Sequence, residues 1–377
     1  MIKDRIQKEM LYKHFRAQNW MAQIEVPIVT PKGINRKSPP VTDIDVLGIR
    51  PSPELRWRYI VGDCKTKKSE SPVNRVLWAT GLVSAVGGAS SIVLLERPRG
   101  RRIEADHKLF ADMHNVLLIE QQDFPAYDKA VVYPSGSAGY QETLDILDKL
   151  RIGIGERFPR LKQYLIYIMS AAWSMKDHSV LLRSTIAHAR GVKGEINPER
   201  DEHLAVVLET ASTFSVAFAT LVGTVFRRYI SSPARSDLAD ATRVIIWGGR
   251  EQYEHFSRVR ERLAQSIGKD TLEPLGLPEW DKFLELLRVN LDAPSYSFQL
   301  PQLFRQLSTG LIDGTVVQKL DAVHDRTLLH YGSRMATYVA RASGFPLDVT
   351  ARIKNLFNPR ISTLATDAAA KARSKDA

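Results

Sequence analysis

Asp45, Asp63 and Lys65 are the residues whose types and spacing could do chemistry. They lie in TDIDVLGI (42–49) and WRYIVGDCKTKK (57–68), two segments in which acidic or basic residues adjoin a mostly apolar run. In an extended strand alternate residues share a face, so Asp63 and Lys65 point one way while Gly62, Cys64 and Thr66 point the other. Asp43 and Asp45 share a face in the same manner. If the two strands pair as a hairpin through Pro51-Ser52-Pro53, Asp45 approaches Asp63 across the sheet. Two carboxylates that close repel. A hard divalent cation with oxygen ligands is the natural way to keep both ionised, with Mg²⁺ the first candidate and Mn²⁺ its substitute. Such an ion lowers the pKa of a bound water and offsets charge on a phosphate oxygen during in-line attack, and the Lys65 ammonium can donate to water and phosphate alike. These are the parts of a phosphodiester hydrolase.

The elements that must hold these residues follow from periodicity. Ile6, Met10, Leu11 and Phe15 recur at helical spacing over residues 3–18. Strands are expected at Trp20–Val29, Thr42–Ile49 and Arg56–Lys65, separated by Pro- and Gly-containing breaks. A helix over Val73–Val86 ends at Gly87-Gly88, the apolar strand Ser91–Leu95 follows, and residues 105–113 and Val116–Ile119 supply a further helix and strand. Helix, three strands, helix, strand is a mixed α/β order, with antiparallel hairpins first and a crossover afterwards.

Arranged in this order, the motifs resemble the restriction-endonuclease-like PD-(D/E)xK nuclease superfamily. Asp45 in DIDVLG looks like that family's first acid, and Asp63-Cys64-Lys65 in VGDCKT looks like its (D/E)xK tripeptide. Glu9 matches the glutamate that the family often carries on the helix before the first strand. Ile44 stands where a Pro is usual, and Asp begins the tripeptide in place of the commoner Glu. The resemblance covers about residues 1–120. It implies an αβββαβ restriction-endonuclease-like domain, with Asp45, Asp63, Lys65 and Glu9 catalytic and the three acids as metal ligands. The implied activity is Mg²⁺-dependent cleavage of DNA, double-stranded above all, in a setting of bacterial or phage defence.

The charge distribution agrees with a polyanionic partner. The chain has 377 residues and a net charge of +11, of which residues 1–104, with 19 Lys plus Arg and 10 Asp plus Glu, carry +9. Neutralising phosphates releases counterions, so a domain biased in this way gains affinity for nucleic acid. Lys67 and Lys68 extend the charged end of the third strand, and Arg97, Arg99, Arg101 and Arg102 in RPRGRR suit a phosphate-contacting loop or a solvated turn. Asn74 and Trp78 are four apart on the next helix and could touch nucleic acid, although a packed Trp is the commoner outcome. Cys64 is the single cysteine, which excludes an internal disulfide, and it reads as a small buried residue.

Beyond about residue 124 strand signals fade, and Pro134-Ser135-Gly136-Ser137 looks like a linker. The expected division is an α/β domain over 1–130, an all-α domain over 138–365 and a flexible tail over 366–377. Helices are expected at Gln141–Leu150, Pro159–Trp173, Ser179–Ala189, Glu199–Ile230, Ser236–Ile267, Glu279–Leu291, Thr315–Ser343 and Leu347–Leu356. The uncharged run Thr210–Phe226 reads as a helix buried by other helices in preference to a membrane span. The N-terminus lacks a secretory pattern, and a cytoplasmic protein is expected. The helical domain suits dimerisation, a grip on substrate or a regulatory protein partner. Two rivals remain open: a silent nucleic-acid-binding or scaffold protein with the same fold, and a nuclease acting on RNA or single-stranded DNA.

Overall fold

The computed structural model describes residues 4–29, 40–66, 70–98, 101–131, 144–228, 235–266 and 273–373. Two compact units divide the chain. The first takes residues 1–147 and 169–176, the second residues 148–168 and 177–377. The path therefore leaves the first unit at 147, returns to it for eight residues and leaves again.

The first unit is a mixed α/β sheet domain. Helix α1 (Arg5–Ala17) leads into strands β1 (Met21–Val29), β2 (Pro40–Pro51) and β3 (Trp57–Lys65). Helix α2 (Pro72–Val86), β4 (Ser90–Leu95), α3 (Ala105–Met113), β5 (Val116–Glu120) and α4 (Phe124–Val131) follow. The strand order is β1-β2-β3-β4-β5; the first three pair antiparallel, and β3-β4 and β4-β5 run parallel. The short turn after Pro51 closes the β2–β3 hairpin, with the Ser52 N–H donating to the Arg56 carbonyl at 2.8 Å. A parallel neighbour needs a crossover, and α2 supplies it between β3 and β4. Ser71 caps α2 by accepting from the Asn74 N–H, and Gly87 ends it in the left-handed conformation.

Helix α1 lies close against the sheet because two glycines let it. A Cβ on Gly62 would stand 3.0 Å from Leu11 Cδ1 and 3.2 Å from Val46 Cβ, and one on Gly48 would meet Ile60 and Phe15. Val76, Ala79, Val93, Leu95, Val116 and Leu118 form a separate buried cluster with Ile103 and Ala111. Helices α2 and α3 thus pack on β4 and β5 as the crossover requires. Helix α4 forms in a stretch where no element was expected.

The second unit is helical: α5 (Leu144–Asp148), whose first four residues belong to the first unit, continues through a π-type turn into α6 (Ile154–Arg157), then come α7 (Pro159–Met169) and α8 (His178–Gly191). At its centre is α9 (Asp201–Arg228). Around it and beyond it lie α10 (Arg235–Ile246), α11 (Arg250–Ser266), α12 (Trp280–Asp292), α13 (Pro294–Ser297), α14 (Leu300–Asp313), α15 (Val316–Asp321), α16 (Arg326–Ala342) and α17 (Leu347–Arg373). Helix α9 is long and apolar enough to cross a membrane, yet 94% of its apolar window is buried inside this unit. Its hydroxyls find partners there: Thr210 bonds the Tyr164 hydroxyl at 2.6 Å, and Ser212 donates to the Pro301 carbonyl at 2.9 Å.

Several boundaries differ from expectation. The single helix expected over 236–267 is two, broken at Gly248 and Gly249, whose φ values of 85° and 111° no helix accommodates. The stretch 315–343 is also two helices, because Asp325 accepts from the Thr327 and Leu328 N–H groups and starts a new one. Helix α14 was not expected at all, and it is a main packing partner of α9. The tail expected over 366–377 is helical through Arg373, as its run of alanines favours.

Candidate active site

One row of side-chain positions runs across the whole sheet. The pairs Ile24–Val46 and Val26–Ile44 set Glu25 opposite Asp45, and Val46–Gly62, continued by one residue, sets Asp45 opposite Asp63. Asp63 in turn pairs with Val93, and Val93 with Leu118. The row begins with three acids and ends in the apolar cluster under α2. Adjacent strands are about 4.8 Å apart, so three carboxylates in such a row require cations among them.

The chain supplies those cations itself. Lys8 of α1 places its Nζ 2.9 Å from Asp45 Oδ1 and 3.3 Å from Glu25 Oε1, with only 3% of its side chain exposed. The Cys64 N–H donates to Asp45 Oδ2 at 2.7 Å. This N–H falls just past the last β2–β3 pair, and the carboxylate takes the place of a ladder carbonyl. Arg75 of α2 grips Asp63 with two donors, Nε to Oδ2 at 2.9 Å and Nη2 to Oδ1. Asp63 is 2% exposed. Lys65 is half-buried and, among the described residues, enters no ion pair.

Burial is the dominant force on both acids. It pushes Asp63 up to about 6, against the opposing pull of Arg75 and Lys65 and with the help of neighbouring Asp45. Burial also raises Asp45, although Lys8 and the Cys64 N–H work against it. At Lys8 burial favours the neutral amine, but Asp45 and Glu25 outweigh it and hold the ammonium above the ordinary lysine range. Each cation is thus stabilised by its pair while each acid is not, because the acids are the more completely desolvated partners. Cys64 is buried and its thiol is pushed up by the same desolvation, which leaves it no nucleophile.

The backbone at Glu25 is also unusual. Its φ of 49° is left-handed, rare for a side-chain-bearing residue within a strand and costing on the order of 1 kcal/mol or more. The β1–β2 pairing skips this position. Glu25 was not foreseen, because an isolated glutamate in QIEVPIV gives no signal of the register that sets it beside Asp45.

The structure therefore brings Asp45, Asp63 and Lys65 into one neighbourhood and leaves Glu9 outside it. Glu9 pairs with Lys13 at 2.7 Å along the outer side of α1. Adjacent helix positions differ by about 100°, and Lys8, not Glu9, shares the buried face with Leu11 and Phe15. Of the basic residues expected to meet phosphate, Lys67, Lys68 and Arg99 lie outside the described residues. Arg97 donates to the Glu70 carbonyl at 2.9 Å, and Arg102, whose side chain is largely exposed, donates to Glu120 at 3.1 Å and Asp123 at 2.7 Å. Arg101 is exposed. Trp78 is not packed away: it is 42% exposed beside exposed Asn74, with the Arg75 guanidinium 5.8 Å from its ring centre.

Two carboxylates on neighbouring strands are hard donors of the type that Mg²⁺ takes, so the donor chemistry suits the ion. The arrangement does not yet offer them: all four oxygens of Asp45 and Asp63 accept from Lys8, Cys64 or Arg75. Among the described residues no group of three or more His, Cys, Asp or Glu side chains stands ready to hold a metal. Comparison with family models, with curated proteins and with solved structures finds no match.

Proposed function

We propose that the first unit is a restriction-endonuclease-like domain and that the chain is a metal-dependent nuclease hydrolysing DNA phosphodiester bonds. The observation that carries this reading is the register that sets Asp45 opposite Asp63, with Lys65 two residues further along the same strand. Asp45 and Asp63 would hold a Mg²⁺ or Mn²⁺ ion. When bound, that ion supplies Lewis acidity to a phosphate oxygen and lowers the pKa of a water. Lys65 directs its ammonium at the attacking water or the phosphate. Lys8 opposes the burial that raises Asp45, and the Cys64 N–H fixes the orientation of that carboxylate. Exposed Trp78 and Asn74 beside Arg75 give nucleic acid a surface next to the acids. Bacterial or phage defence, and dimerisation or regulation through the helical unit, complete the proposal.

A second reading has its own observation. Arg75 and Lys8 neutralise the acids without any metal, as a silent nucleic-acid-binding or scaffold protein on the same fold would allow. One assay separates the two. Plasmid, linear and single-stranded DNA and RNA are incubated with the protein in Mg²⁺, Mn²⁺ or EDTA, beside Asp63→Ala and Lys65→Ala. Metal-dependent cleavage lost in both variants supports the nuclease. Binding without cleavage in any condition supports the silent reading, and cleavage that survives either substitution removes this site from the chemistry. The substrate that is cut decides between double-stranded DNA, single-stranded DNA and RNA.

A further inference from the structure

We infer that Arg75 is an exchangeable counter-ion: it occupies Asp63 in the position a divalent cation would take, and metal binding proceeds by swinging its guanidinium off the carboxylate. The inference rests on the nuclease reading only in taking Asp45 and Asp63 as the metal's ligands. In the row described above, Lys8 meets Glu25 and Asp45, and Arg75 meets Asp63, with Lys65 close enough to act on Asp63. A divalent cation binds through carboxylate oxygens, and all four oxygens of Asp45 and Asp63 already accept from Lys8, Cys64 or Arg75. One donor must leave.

The geometry selects Arg75. Lys8 bridges two carboxylates from a helix held down on Gly62, and its side chain has 3% exposure, so its departure strands both acids at once. Among the described residues Lys65 occupies no carboxylate oxygen in an ion pair. Arg75 holds a single carboxylate, takes both of its oxygens, and sits on α2 next to exposed Trp78, where the long side chain can turn toward solvent and the indole face. A guanidinium that leaves a carboxylate also carries the fork geometry that phosphate accepts. Metal affinity is then set by a competition, and removing the competitor tightens it.

The test uses the full chain without nucleic acid and Mn²⁺ as the probe, with free Mn²⁺ followed by electron paramagnetic resonance. Arg75→Gln is expected to bind at least tenfold tighter than the parent, and Asp63→Asn to lose the site. Arg75→Lys, which keeps the charge but loses the two-pronged grip, is expected to fall between parent and Arg75→Gln. Protection of the Cys64 thiol from a labelling reagent verifies folding; should Arg75→Gln lose that protection, Arg75→Lys alone decides, in the same direction. Mn²⁺ affinity unchanged, weakened or absent in the folded Arg75 variant overturns the exchange, as does undiminished binding by Asp63→Asn. Tighter Mn²⁺ binding with no cleavage of any nucleic acid would sink the nuclease reading and leave the exchange standing. Cleavage that needs Asp63 and Lys65, with Mn²⁺ affinity indifferent to Arg75, would do the reverse.

Discussion

Replacing Lys8 with Met tests the charge network at a buried point. The side chain is almost fully enclosed, and its ammonium lies 2.9 Å from Asp45 and 3.3 Å from Glu25. Met preserves most of the volume, so packing loss is small and the main effect is electrostatic. Removing one partner of a buried ion pair costs about 3–5 kcal/mol, because the remaining charge is left desolvated and uncompensated. Whole domains are stable by only about 5–15 kcal/mol, so the effect consumes a large share of the margin. Its pH dependence has a definite sign. Asp45 is already raised by burial, and without Lys8 its largest opposing influence is gone, so its folded pKa rises further. An acid whose folded pKa exceeds its unfolded value binds more protons when folded, and the protein gains stability as pH falls through that value. The deficit of Lys8→Met is therefore expected to be largest at pH 7 and to shrink toward pH 5. Cys64 provides the readout: it is the only cysteine, it lies in β3 and it is buried, so urea-dependent thiol labelling in EDTA reports opening of the first unit alone. A deficit below about 1 kcal/mol, the scale of an exposed pair, or one equal at both pH values, would refute the reasoning.

Asp63 gives a related expectation. With Arg75, Asp45 and Lys65 around it, its folded value of about 6 lies above the ordinary carboxyl value near 3.9, so this group's contribution is present below about pH 4 and is lost as pH rises to about 6. In the same labelling assay Asp63→Asn should flatten the stability profile across that window, by an amount on the order of 2–3 kcal/mol between its ends. Gly62→Ala should push α1 off the sheet and lower stability by about 1–3 kcal/mol, seen as a lower urea midpoint for Cys64 protection. In the helical unit Arg305 and Glu209 form a fully buried pair at 2.7 Å. Arg305→Met alone should cost about 3–5 kcal/mol in that unit's thermal unfolding, and a paired Glu209→Leu should recover most of it. Glu9→Gln, by contrast, should change neither Cys64 protection nor cleavage, since its partner is the neighbouring Lys13.

The meeting of Asp45 with Asp63 was legible because strand geometry has a period of two and Pro51-Ser52-Pro53 announces the turn between them. The cations that neutralise them were not. Lys8 and Glu9 differ by one helix position, and composition cannot say which of two adjacent charges faces the sheet until the phase of α1 is fixed by Leu11 and Phe15. Arg75 lies twelve residues from Asp63 across an unpatterned connection, and its reach depends on how α2 docks. In the helical unit the signal for α14 was present in Leu300, Leu303, Phe304 and Leu307, but Pro301 looks like a breaker unless it is recognised as a first-turn proline. Gly248-Gly249 is the converse case: the apolar pattern runs on across the pair, but two adjacent glycines at positive φ stop the helix.

The path of the chain between the two units bears on how the protein can be made and cut. Strand β1 is an edge of the sheet, and the turn Ala171–Ser174 packs against it, with the Ser174 hydroxyl donating to the Pro27 carbonyl at 2.5 Å. An uncovered edge is a template for another chain. During synthesis the sheet strands emerge well before that cover, so the nascent first unit waits with β1 open until residue 176 has left the ribosome. Any shortened gene that stops near residue 147 would keep all five strands with Asp45, Asp63 and Lys65 and yet leave the β1 edge uncovered.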